Sequence, residues 1–322
     1  MKASATAPRR ILVTGAAGFV GGYAIAALKN AYPDATIIQG GVGGEGRSDF
    51  ETFNIADIDQ TRAAIERIKP DGVLHLAAIA DPAKARLDAR ATWDVNFSGV
   101  MNVVEAAMAQ NPNTIFVFAG SSESYGAAFR DCNGPISEEA ALKPLNIYGA
   151  TKAAADIYLG QLASAGSRII RFRPFNHTGA GQSPVFVAPA FAWQIAEIEA
   201  GRQPPTIKVG NLDVERDLLD VRDVARAYAL AFAYAPGEGD PSVFNLAVGA
   251  PLRIGALLDK LRSMSDRTIA VEVDPQKLRS NEIASISGDA RRAEKYLGWR
   301  AEIPIEATLA NVLSACRESV RT

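Results

Sequence analysis

The chain has 322 residues, 48% of them hydrophobic, and its 36 acidic side chains nearly balance 34 basic ones. This length allows a substantial core, while the small net charge gives no strong field that would attract nucleic acid or an anionic membrane. No apolar stretch reaches the roughly 20 residues that span a bilayer, and residues 1–10 lack the apolar core of a signal peptide. We therefore expect a cytoplasmic protein of two interlocked lobes, with no nucleic-acid or membrane partner.

The chain contains only two cysteines, Cys132 and Cys316, which are far apart in the sequence. A disulfide framework or a zinc site would need more thiols at closer spacing. We therefore expect two reduced, inert thiols and no bound metal.

Short apolar runs alternate with helix-length, alanine-rich segments through the first half of the chain. The runs predicted as strands are residues 10–14, 36–38, 51–55, 72–76, 114–119 and 168–172. This alternation is typical of parallel strands joined by right-handed helical crossovers. It predicts an α/β fold with a doubly wound parallel sheet of the Rossmann type, in which a ligand binds at the carboxyl ends of the strands.

The regular alternation stops after residue 172. The next segment, residues 173–211, is rich in proline, glycine and polar residues around one helical stretch at 187–199. Such a composition is typical of an insertion that shapes a substrate site.

Regular patterns return in the last third of the chain. The elements predicted there are a strand and a helix within 218–234, a strand at 242–247, helices at 254–263 and 305–317, and a strand at 269–273. The predicted domains are a dinucleotide-binding domain at 1–174, on which 212–247 packs back, and a smaller α/β lobe at 175–211 and 248–322 that binds the substrate.

A glycine fingerprint follows the first predicted strand and opens a helical pattern, with Gly15, Gly18 and Gly21 at its key positions. Glycine permits a tight turn and lets backbone amides approach a pyrophosphate, while the helix start adds its positive dipole end. Phe19 and Val20 lie within this fingerprint and are expected at the cofactor as well. A glycine-rich turn without a ligand is the alternative.

Two further segments bear on the cofactor. Asp57 and Ile58 follow the third predicted strand and would lie near an adenine, although Asp57 would serve equally as the N-cap of a helix over 59–69. A carboxylate at the end of the second strand would bind the ribose diol of NAD, but the sequence there has Gln39 and a glycine-rich loop that leads to Arg47. This favours NADP(H) over NAD(H), with a mobile surface loop as the alternative.

Tyr148 and Lys152 stand four residues apart in a helical pattern and therefore share one helix face. In the reduction of a carbonyl, a phenol at this position would give its proton to the oxygen as hydride reaches the carbon. An unperturbed phenol, with a pKa of about 10, is too weak an acid at neutral pH, and we expect Lys152 and an oxidised nicotinamide to favour the phenolate. Ser121, at the end of the fifth strand, is expected to hydrogen-bond the same oxygen. An exposed tyrosine, a solvated lysine and a turn-capping serine are the alternatives.

With these motifs the chain resembles the extended short-chain dehydrogenase/reductases, which act on nucleotide sugars. The resemblance covers nearly the whole chain. It implies that Leu76, Ala77 and Ala78 lie along the cofactor, and that Asn96, also at the cofactor site, helps to hold the helix that carries Tyr148.

The same resemblance selects Ser121 as the catalytic serine, because it stands four residues before the Tyr125–Gly126 pair. Ser122 is retained as a neighbour at the substrate. Family similarity also implies a homodimer formed through the helices that hold Asn96 and Tyr148, with internal core packing as the alternative for their apolar faces.

Three segments, 173–183, 209–220 and 279–282, resemble the branch of the GDP-mannose 4,6-dehydratases and GDP-4-keto-6-deoxymannose reductases. The branch implies a GDP-sugar substrate. The residues expected at its diphosphate are Asn176, Arg216 and Arg279, with Lys208 a further candidate and Glu282 near the nucleoside. Guanidinium groups suit phosphate oxygens in a bidentate manner, although arginines paired with surface carboxylates are the alternative. Ala180 replaces a proline that is usual in the branch motif.

Reductases and dehydratases of this branch differ in the use of a carboxylate. A dehydratase needs a base for the proton at C5, and Glu123, two residues after Ser121, stands where the resemblance places that base. Similar reductases also carry a glutamate there, and the compact length, the opening glycine motif and the lack of an arginine-rich segment after the second strand favour a reductase. We therefore expect NAD(P)H-dependent reduction of the C4 keto group of GDP-4-keto-6-deoxymannose to GDP-rhamnose. The alternatives are GDP-mannose 4,6-dehydration, a nucleotide-sugar epimerase or other ketosugar reductase, and an NADP-sensing binding protein.

Overall fold

The computed structural model describes residues 7–44, 46–237, 239–278 and 282–321. The strands are β1 (Arg10–Thr14), β2 (Thr36–Gly41), β3 (Phe50–Thr52), β4 (Gly72–His75), β5 (Ile115–Ala119), β6 (Ile169–Pro174), β7 (Asn176–Thr178), β8 (Thr206–Val209), β9 (Glu215–Arg216), β10 (Leu218–Asp220), β11 (Val243–Leu246), β12 (Leu252–Arg253), β13 (Ala270–Val273) and β14 (Ser285–Ile286). The α-helices are α1 (Phe19–Ala31), α2 (Ile58–Ile68), α3 (Pro82–Leu87), α4 (Ala89–Trp93), α5 (Gly99–Gln110), α6 (Ile147–Ser164), α7 (Val187–Glu199), α8 (Val221–Ala231), α9 (Ile254–Arg262), α10 (Arg291–Leu297) and α11 (Ile305–Arg321).

The central sheet has seven strands in the order β11-β6-β5-β4-β1-β2-β3. Every neighbouring pair in it is parallel. The strand order reverses between β1 and β4, and in sheets of this kind a ligand binds at the carboxyl ends of the strands beside such a reversal. The predicted fold class is confirmed.

Alternate residues of β1 face opposite sides of this sheet, because side chains in a strand point up and down in turn. Ile11 and Val13 join an apolar cluster with α1 and α8, whereas Leu12 joins a second cluster with α2, α5 and α6. Both faces of the sheet are therefore covered by helices, which explains why its central strands are continuously apolar.

A third apolar cluster fills the smaller lobe, where α7, α9 and α11 pack around β8. The short strands of the remaining sheets pair as β10-β7, β12-β9-β14 and β13-β8. The helix α10 lies in the range predicted for the smaller lobe, but its Ala293 belongs to the cluster of α1 and α8. The chain therefore returns to the large lobe near its end, and the domain boundaries stay a prediction.

The third strand is shorter than its predicted range of 51–55, since β3 ends at Thr52. Polar side chains end it: Asn54 Oδ1 accepts the Ala56 N–H at 3.0 Å, and Asp57 Oδ1 accepts the Asp59 N–H at 3.0 Å as the N-cap of α2. These local bonds compete with strand pairing and begin the helix.

Among the described residues, no helix combines the length and the apolar character needed to cross a bilayer.

Candidate active site

The turn between β1 and α1 is tight. Gly15 has a φ of 69°, and a Cβ on it would lie 2.6 Å from the backbone nitrogen of Ala77. A Cβ on Gly21 would lie 2.2 Å from the carbonyl oxygen of Ala16. Each position therefore admits only glycine, because a side chain would push the turn away from the loop after β4 or from α1.

The start of α1 faces out of this turn. Gly18 is its N-cap and so offers no capping side chain, and the helix begins at Phe19 and Val20. The first N–H groups of a helix have no intrahelical acceptor and carry the positive end of its dipole. The turn and the helix start together fit a dinucleotide pyrophosphate, which backbone amides of Phe19 and Val20 would hold.

The loop after β4 is fixed from beneath. His75 is fully buried, and its Nδ1 lies 3.1 Å from Thr14 Oγ1 at the end of β1. Burial, together with the nearby charge of Lys152, lowers the pKa of His75 to about 3, so the ring is neutral. The residues predicted along the cofactor, Leu76, Ala77 and Ala78, follow directly, with Ala77 against Gly15. The sequence placed the segment that begins at His75 along the cofactor, but the contact between Thr14 and His75 was not predicted. Its signal was a polar residue at the end of each apolar strand.

Asn96 lies in a π-helical turn, Asp94–Ser98, between α4 and α5. Its Oδ1 accepts the Ile79 N–H at 2.8 Å, and its Nδ2 donates to Ile79 O and Thr151 Oγ1, each at 3.1 Å. Both amide hydrogens are therefore used within the protein. Asn96 ties the loop after β4 to α6, as expected for a residue that holds the helix of Tyr148.

Lys152 is buried on α6, with 2% of its surface exposed. Its Nζ donates to Ala119 O at 2.7 Å and lies 4.9 Å from the centroid of the Phe118 ring. Burial lowers the pKa of Lys152 to about 7. The lysine thus lies at the carboxyl end of β5.

Tyr148 lies one turn before Lys152 on the same helix. Burial raises the pKa of its phenol to about 12, the hydrogen bond with Ser121 lowers it, and the charge of Glu123 raises it. This direction is opposite to the one expected from Lys152 and nicotinamide together, because burial outweighs the other influences and the Lys152 ammonium turns to Ala119. The protein by itself therefore keeps the phenol protonated, which is the starting state of a general acid.

Ser121, Ser122 and Glu123 form the turn that follows β5. Ser121 Oγ accepts the Glu123 N–H at 3.1 Å, and Ser122 is buried. Glu123 Oε2 accepts a hydrogen bond from Asn146 Nδ2 at 2.9 Å. The structure brings Ser121, Glu123 and Tyr148 together, and it adds Asn146, which sequence reasoning did not single out.

The loop after β2 corrects one expectation about the cofactor. Asp49 Oδ2 accepts a hydrogen bond from Gln39 Nε2 at 2.7 Å and pairs with Arg47 at 3.2 Å. A carboxylate therefore does lie beside the end of β2. It was missed because it comes from the other end of the loop and reaches Gln39 only when β2 pairs with β3, which sets Gln39 opposite Phe50.

The predicted adenine residues lie at the start of α2. Asp57 accepts backbone N–H groups of Asp59 and Gln60 at 3.0 and 3.1 Å, so its side chain is a helix cap. Ile58 is the first helical residue. The cap interpretation is observed, and it is compatible with a contact to adenine.

Arg216 and Glu282, both expected at the substrate, pair with each other. Arg216 Nη2 lies 3.3 Å from Glu282 Oε1, and Nη1 donates to Ile283 O at 2.9 Å. The arginine side chain is largely buried in this arrangement. The alternative of an arginine paired with a carboxylate thus describes Arg216 in this structure.

The other residues predicted at the substrate belong to different segments of the chain. Asn176 begins β7 opposite Leu218 and is half-buried, while Lys208 is exposed in β8. Arg279 lies outside the described residues. Ala180, in the branch motif, accepts a hydrogen bond from the Tyr23 hydroxyl at 2.7 Å, which docks this loop on α1.

A buried ionic cluster on α6 was also missed. Asp156 receives hydrogen bonds from Arg171 Nη1 at 2.7 Å and from Arg173 Nε and Nη2 at 2.9 and 3.0 Å. Arg173 Nη1 continues to the hydroxyl of Tyr125 at 3.0 Å. Its signal in the sequence was a pair of arginines on one face of the otherwise apolar strand β6.

Asp217, next to Arg216, is fully buried and has no cationic partner among the described residues. It accepts backbone N–H groups of Val248, Gly249 and Gly288 at 2.7, 2.9 and 3.2 Å. One carboxylate thus joins the loop after β11 to the segment after β14, and holds in place the strand that carries Arg216.

The chain has a glycine turn after β1, where the strand order reverses, and a tyrosine and a lysine on one face of α6. These features define an NAD(P)-dependent oxidoreductase of the Rossmann type. The chain belongs to the NAD dependent epimerase/dehydratase family, whose model matches residues 11–247. The resemblance and the enzyme class predicted from the motifs are confirmed.

Among similar proteins, a GDP-6-deoxy-D-mannose reductase of Pseudomonas aeruginosa is 31% identical over 97% of this chain and 99% of its own length. A solved structure of RMD from Pseudomonas aeruginosa with NADPH has a TM-score of 0.80 and 28% identity, covering 96% of this chain and 99% of that one. A UDP-glucose 4-epimerase of Caenorhabditis elegans is 26% identical over 94% of this chain and 96% of its length.

Proposed function

We propose that this protein reduces the C4 keto group of GDP-4-keto-6-deoxy-D-mannose with hydride from NADPH and forms GDP-D-rhamnose. The observation that carries the proposal is the full-length similarity to a GDP-6-deoxy-D-mannose reductase, at 31% identity, against 26% for a UDP-glucose 4-epimerase. The protonated Tyr148 beside Ser121 agrees with it, since carbonyl reduction needs a proton donor at the oxygen.

The chemistry assigns one task to each catalytic side chain. NADPH, when bound, supplies the hydride that forms the new C–H bond at C4. Tyr148 gives its phenolic proton to the C4 oxygen, and the Ser121 hydroxyl hydrogen-bonds the same oxygen. A charged Lys152 stabilises the phenolate that remains, which then regains a proton from water.

The diphosphate of the sugar nucleotide is proposed to bind at Arg216, with Asn176, Arg279 and Lys208 as further contacts. A diphosphate accepts bidentate hydrogen bonds from a guanidinium and carries more charge than the single carboxylate now paired with Arg216. Glu282 would then be released from the arginine and turn towards the nucleoside. Binding of the diphosphate would thus replace Glu282 as the partner of Arg216.

For the cofactor we propose NADPH rather than NADH, supported by the similar structure that contains NADPH. Arg47 is the cation available for the extra phosphate, and Asp49 opposes it. Replacing Arg47 by Ser should raise the KM for NADPH and leave that for NADH nearly unchanged. The matched Asp49→Ser variant should bind NADPH more tightly. Equal effects on both cofactors would contradict this assignment.

We also propose a cytoplasmic homodimer. Leu87, Trp93 and Ile157, on α3, α4 and α6, expose 84%, 38% and 63% of their surface, and these helices pack side by side. A second copy would cover them. Sedimentation of the wild type should give twice the 34.1 kDa chain mass and Ile157→Asp the single mass, whereas a monomeric wild type would refute the dimer. Cell fractionation checks the location.

Two incubations test the reaction. With GDP-4-keto-6-deoxy-D-mannose and NADPH, mass spectrometry should show a product heavier by two hydrogens. With GDP-mannose and NADP, a product lighter by one water would identify a dehydratase instead, which Glu123 near Ser121 allows. Tight binding of NADPH without turnover of any GDP-sugar would indicate a sensor.

A further inference from the structure

The start of α6 lies directly against the turn that follows β5. A Cβ on Gly149 would be 2.6 Å from the carbonyl oxygen of Glu123, so only glycine allows this approach. Asn146 precedes the helix, and its side-chain oxygen accepts the Gly149 N–H at 2.7 Å. Its amide nitrogen donates to Glu123 Oε2 at 2.9 Å. One side chain thus caps the helix and holds a carboxylate of the neighbouring turn.

The same turn leads back to the phenol. Ser121 Oγ accepts the Glu123 N–H at 3.1 Å and interacts with the phenol of Tyr148, the residue before Gly149. The contacts therefore close a ring from Asn146 through Glu123 and Ser121 to Tyr148 and back to the cap. The ring joins the turn after β5 to α6, two elements that are distant from each other in the sequence.

We propose that Asn146 is a positioning residue that closes this ring and sets the Ser121 hydroxyl against the Tyr148 phenol, with Glu123 engaged in the ring rather than acting as a proton acceptor. The inference rests on the proposed reduction at Ser121 and Tyr148. Two donors must converge on one carbonyl oxygen, and small errors in such placement cost large factors in rate. The ring explains how a glutamate at the position of a dehydratase base is compatible with reduction.

Asn146 is itself exposed, so its hydrogen bond to Glu123 contributes little to the stability of the fold, whereas its cap of α6 contributes more. A loss of the ring should therefore appear in kcat and not in stability. Serine is as good an N-cap as asparagine but is too short to reach the Glu123 carboxylate. In Asn146→Ser we expect kcat to fall about tenfold, the KM for NADPH to stay within about twofold, and Tm to shift by less than about 3 °C.

Two substitutions of Glu123 separate position from charge. The amide oxygen of Glu123→Gln still accepts from Asn146, so this conservative variant should lose only about threefold in kcat. Glu123→Ala has no acceptor and should lose about tenfold, as Asn146→Ser does. The double variant of Asn146→Ser and Glu123→Ala should be no slower than either single one, because both break the same ring, whereas independent roles would multiply to about a hundredfold.

Kinetics of these variants with GDP-4-keto-6-deoxy-D-mannose and NADPH decide the matter. Wild-type kcat in Asn146→Ser, or Glu123→Gln as slow as Glu123→Ala, would overturn the inference, the latter because the carboxylate would then act by its charge. Multiplying losses in the double variant would also overturn it.

A wild type without ketosugar reduction would instead refute the proposed function, and the ring then has a readout that needs no turnover. The side-chain amide protons of Asn146, followed by NMR in asparagine-labelled protein, should shift in Glu123→Ala and keep their position in Glu123→Gln. Unchanged chemical shifts of these protons in Glu123→Ala would show that the ring does not exist.

Discussion

The residues proposed to bind the cofactor, which we call the nucleotide side, and those proposed to bind the sugar nucleotide, the sugar side, differ in how their polar groups are paired. On the nucleotide side, Asn96 and Lys152 are buried and bonded to fixed backbone or side-chain partners. On the sugar side, Arg216 is paired with Glu282, a partner that a diphosphate would have to replace. The first side is pre-organised, whereas the proposed function requires the second side to change partners when the substrate binds.

This difference separates rate from affinity. Groups already held in place lose little freedom when the substrate arrives, so changes to them should affect the rate, cofactor binding or the stability of the fold. Groups that exchange partners should affect mainly the KM of the sugar nucleotide.

Replacing Asp156 by Asn breaks the buried ionic cluster between α6 and β6. Asp156 is 1% exposed and bonds both Arg171 and Arg173, so the variant leaves two largely buried guanidiniums without their counter-charge. We expect the free energy of unfolding to fall by about 3–5 kcal/mol, measured by urea titration. The exposed ion pair of Asp49 is the control, and Asp49→Asn should cost less than about 1 kcal/mol. Equal losses in the two variants would show that the buried cluster is not specially stabilising.

Lys152 makes the nucleotide side sensitive to pH. Burial lowers its pKa from 10.5 to about 7, so the folded state loses the proton before the unfolded state does. The unfolded chain then binds more protons between these values, and the stability of the wild type should rise with pH from about 7 to 10.5. Below pH 7 the full cost of a buried charge is present.

Lys152→Met removes the free-energy cost of burying a charged ammonium. The variant should be more stable than the wild type by on the order of a few kcal/mol at pH 6.5, with the gain shrinking towards pH 10. Urea titrations at both pH values measure this, and Lys143→Met, at an exposed lysine, serves as the control. A variant no more stable than the wild type at pH 6.5 would mean that the buried ammonium carries no penalty.

Two adjacent glycines of α1 test the shape of the cofactor turn. A Cβ on Gly21 would lie 2.2 Å from Ala16 O, whereas one on Gly22 meets nothing within 4 Å. We expect Gly21→Ala to weaken NADPH binding about a hundredfold, or roughly 2.7 kcal/mol, by calorimetry. Gly22→Ala should leave binding unchanged and add about 0.5–1 kcal/mol of stability, because alanine favours helix over glycine. Similar affinities in both variants would rule out a tight turn as the cofactor seat.

Arg216 and Glu282 test the exchange of partners on the sugar side. Arg216→Gln should raise the KM of the sugar nucleotide about tenfold, since it removes a charged phosphate ligand. Glu282→Gln should lower that KM two- to threefold, because it weakens the competing pair without touching the guanidinium. A higher KM in Glu282→Gln would mean that the carboxylate strengthens binding of the nucleoside more than its pairing with Arg216 weakens binding of the diphosphate.

The sequence predicted the parts of this protein that depend on local patterns. Continuous apolar runs predicted the buried parallel strands, and the spacing of Gly15, Gly18 and Gly21 predicted the turn that α1 follows. The four-residue spacing of Tyr148 and Lys152 was sufficient to place both on α6. Such features need only the period of a helix or strand and the backbone freedom of glycine.

Pairings between distant segments were not predictable in the same way. Asp49 meets Gln39 only through the register of β2 and β3, and Asp217 finds its three N–H groups on segments more than thirty residues further along the chain. Asn146 was not singled out in the sequence, because its bond to Glu123 depends on how close α6 lies to the turn after β5. Tertiary packing decides these contacts.

Replacing Tyr148 by Phe tests most directly whether its phenol is the proton donor of the reduction. The variant keeps the aromatic ring and loses only the hydroxyl that Ser121 contacts. We expect kcat with GDP-4-keto-6-deoxy-D-mannose to fall by about a hundred- to ten-thousandfold, while the Kd of NADPH stays within about twofold. Tyr158→Phe, on the same helix and bonded to Glu105 near the surface, should retain wild-type kcat. A Tyr148→Phe enzyme within about threefold of the wild-type kcat would contradict a catalytic phenol.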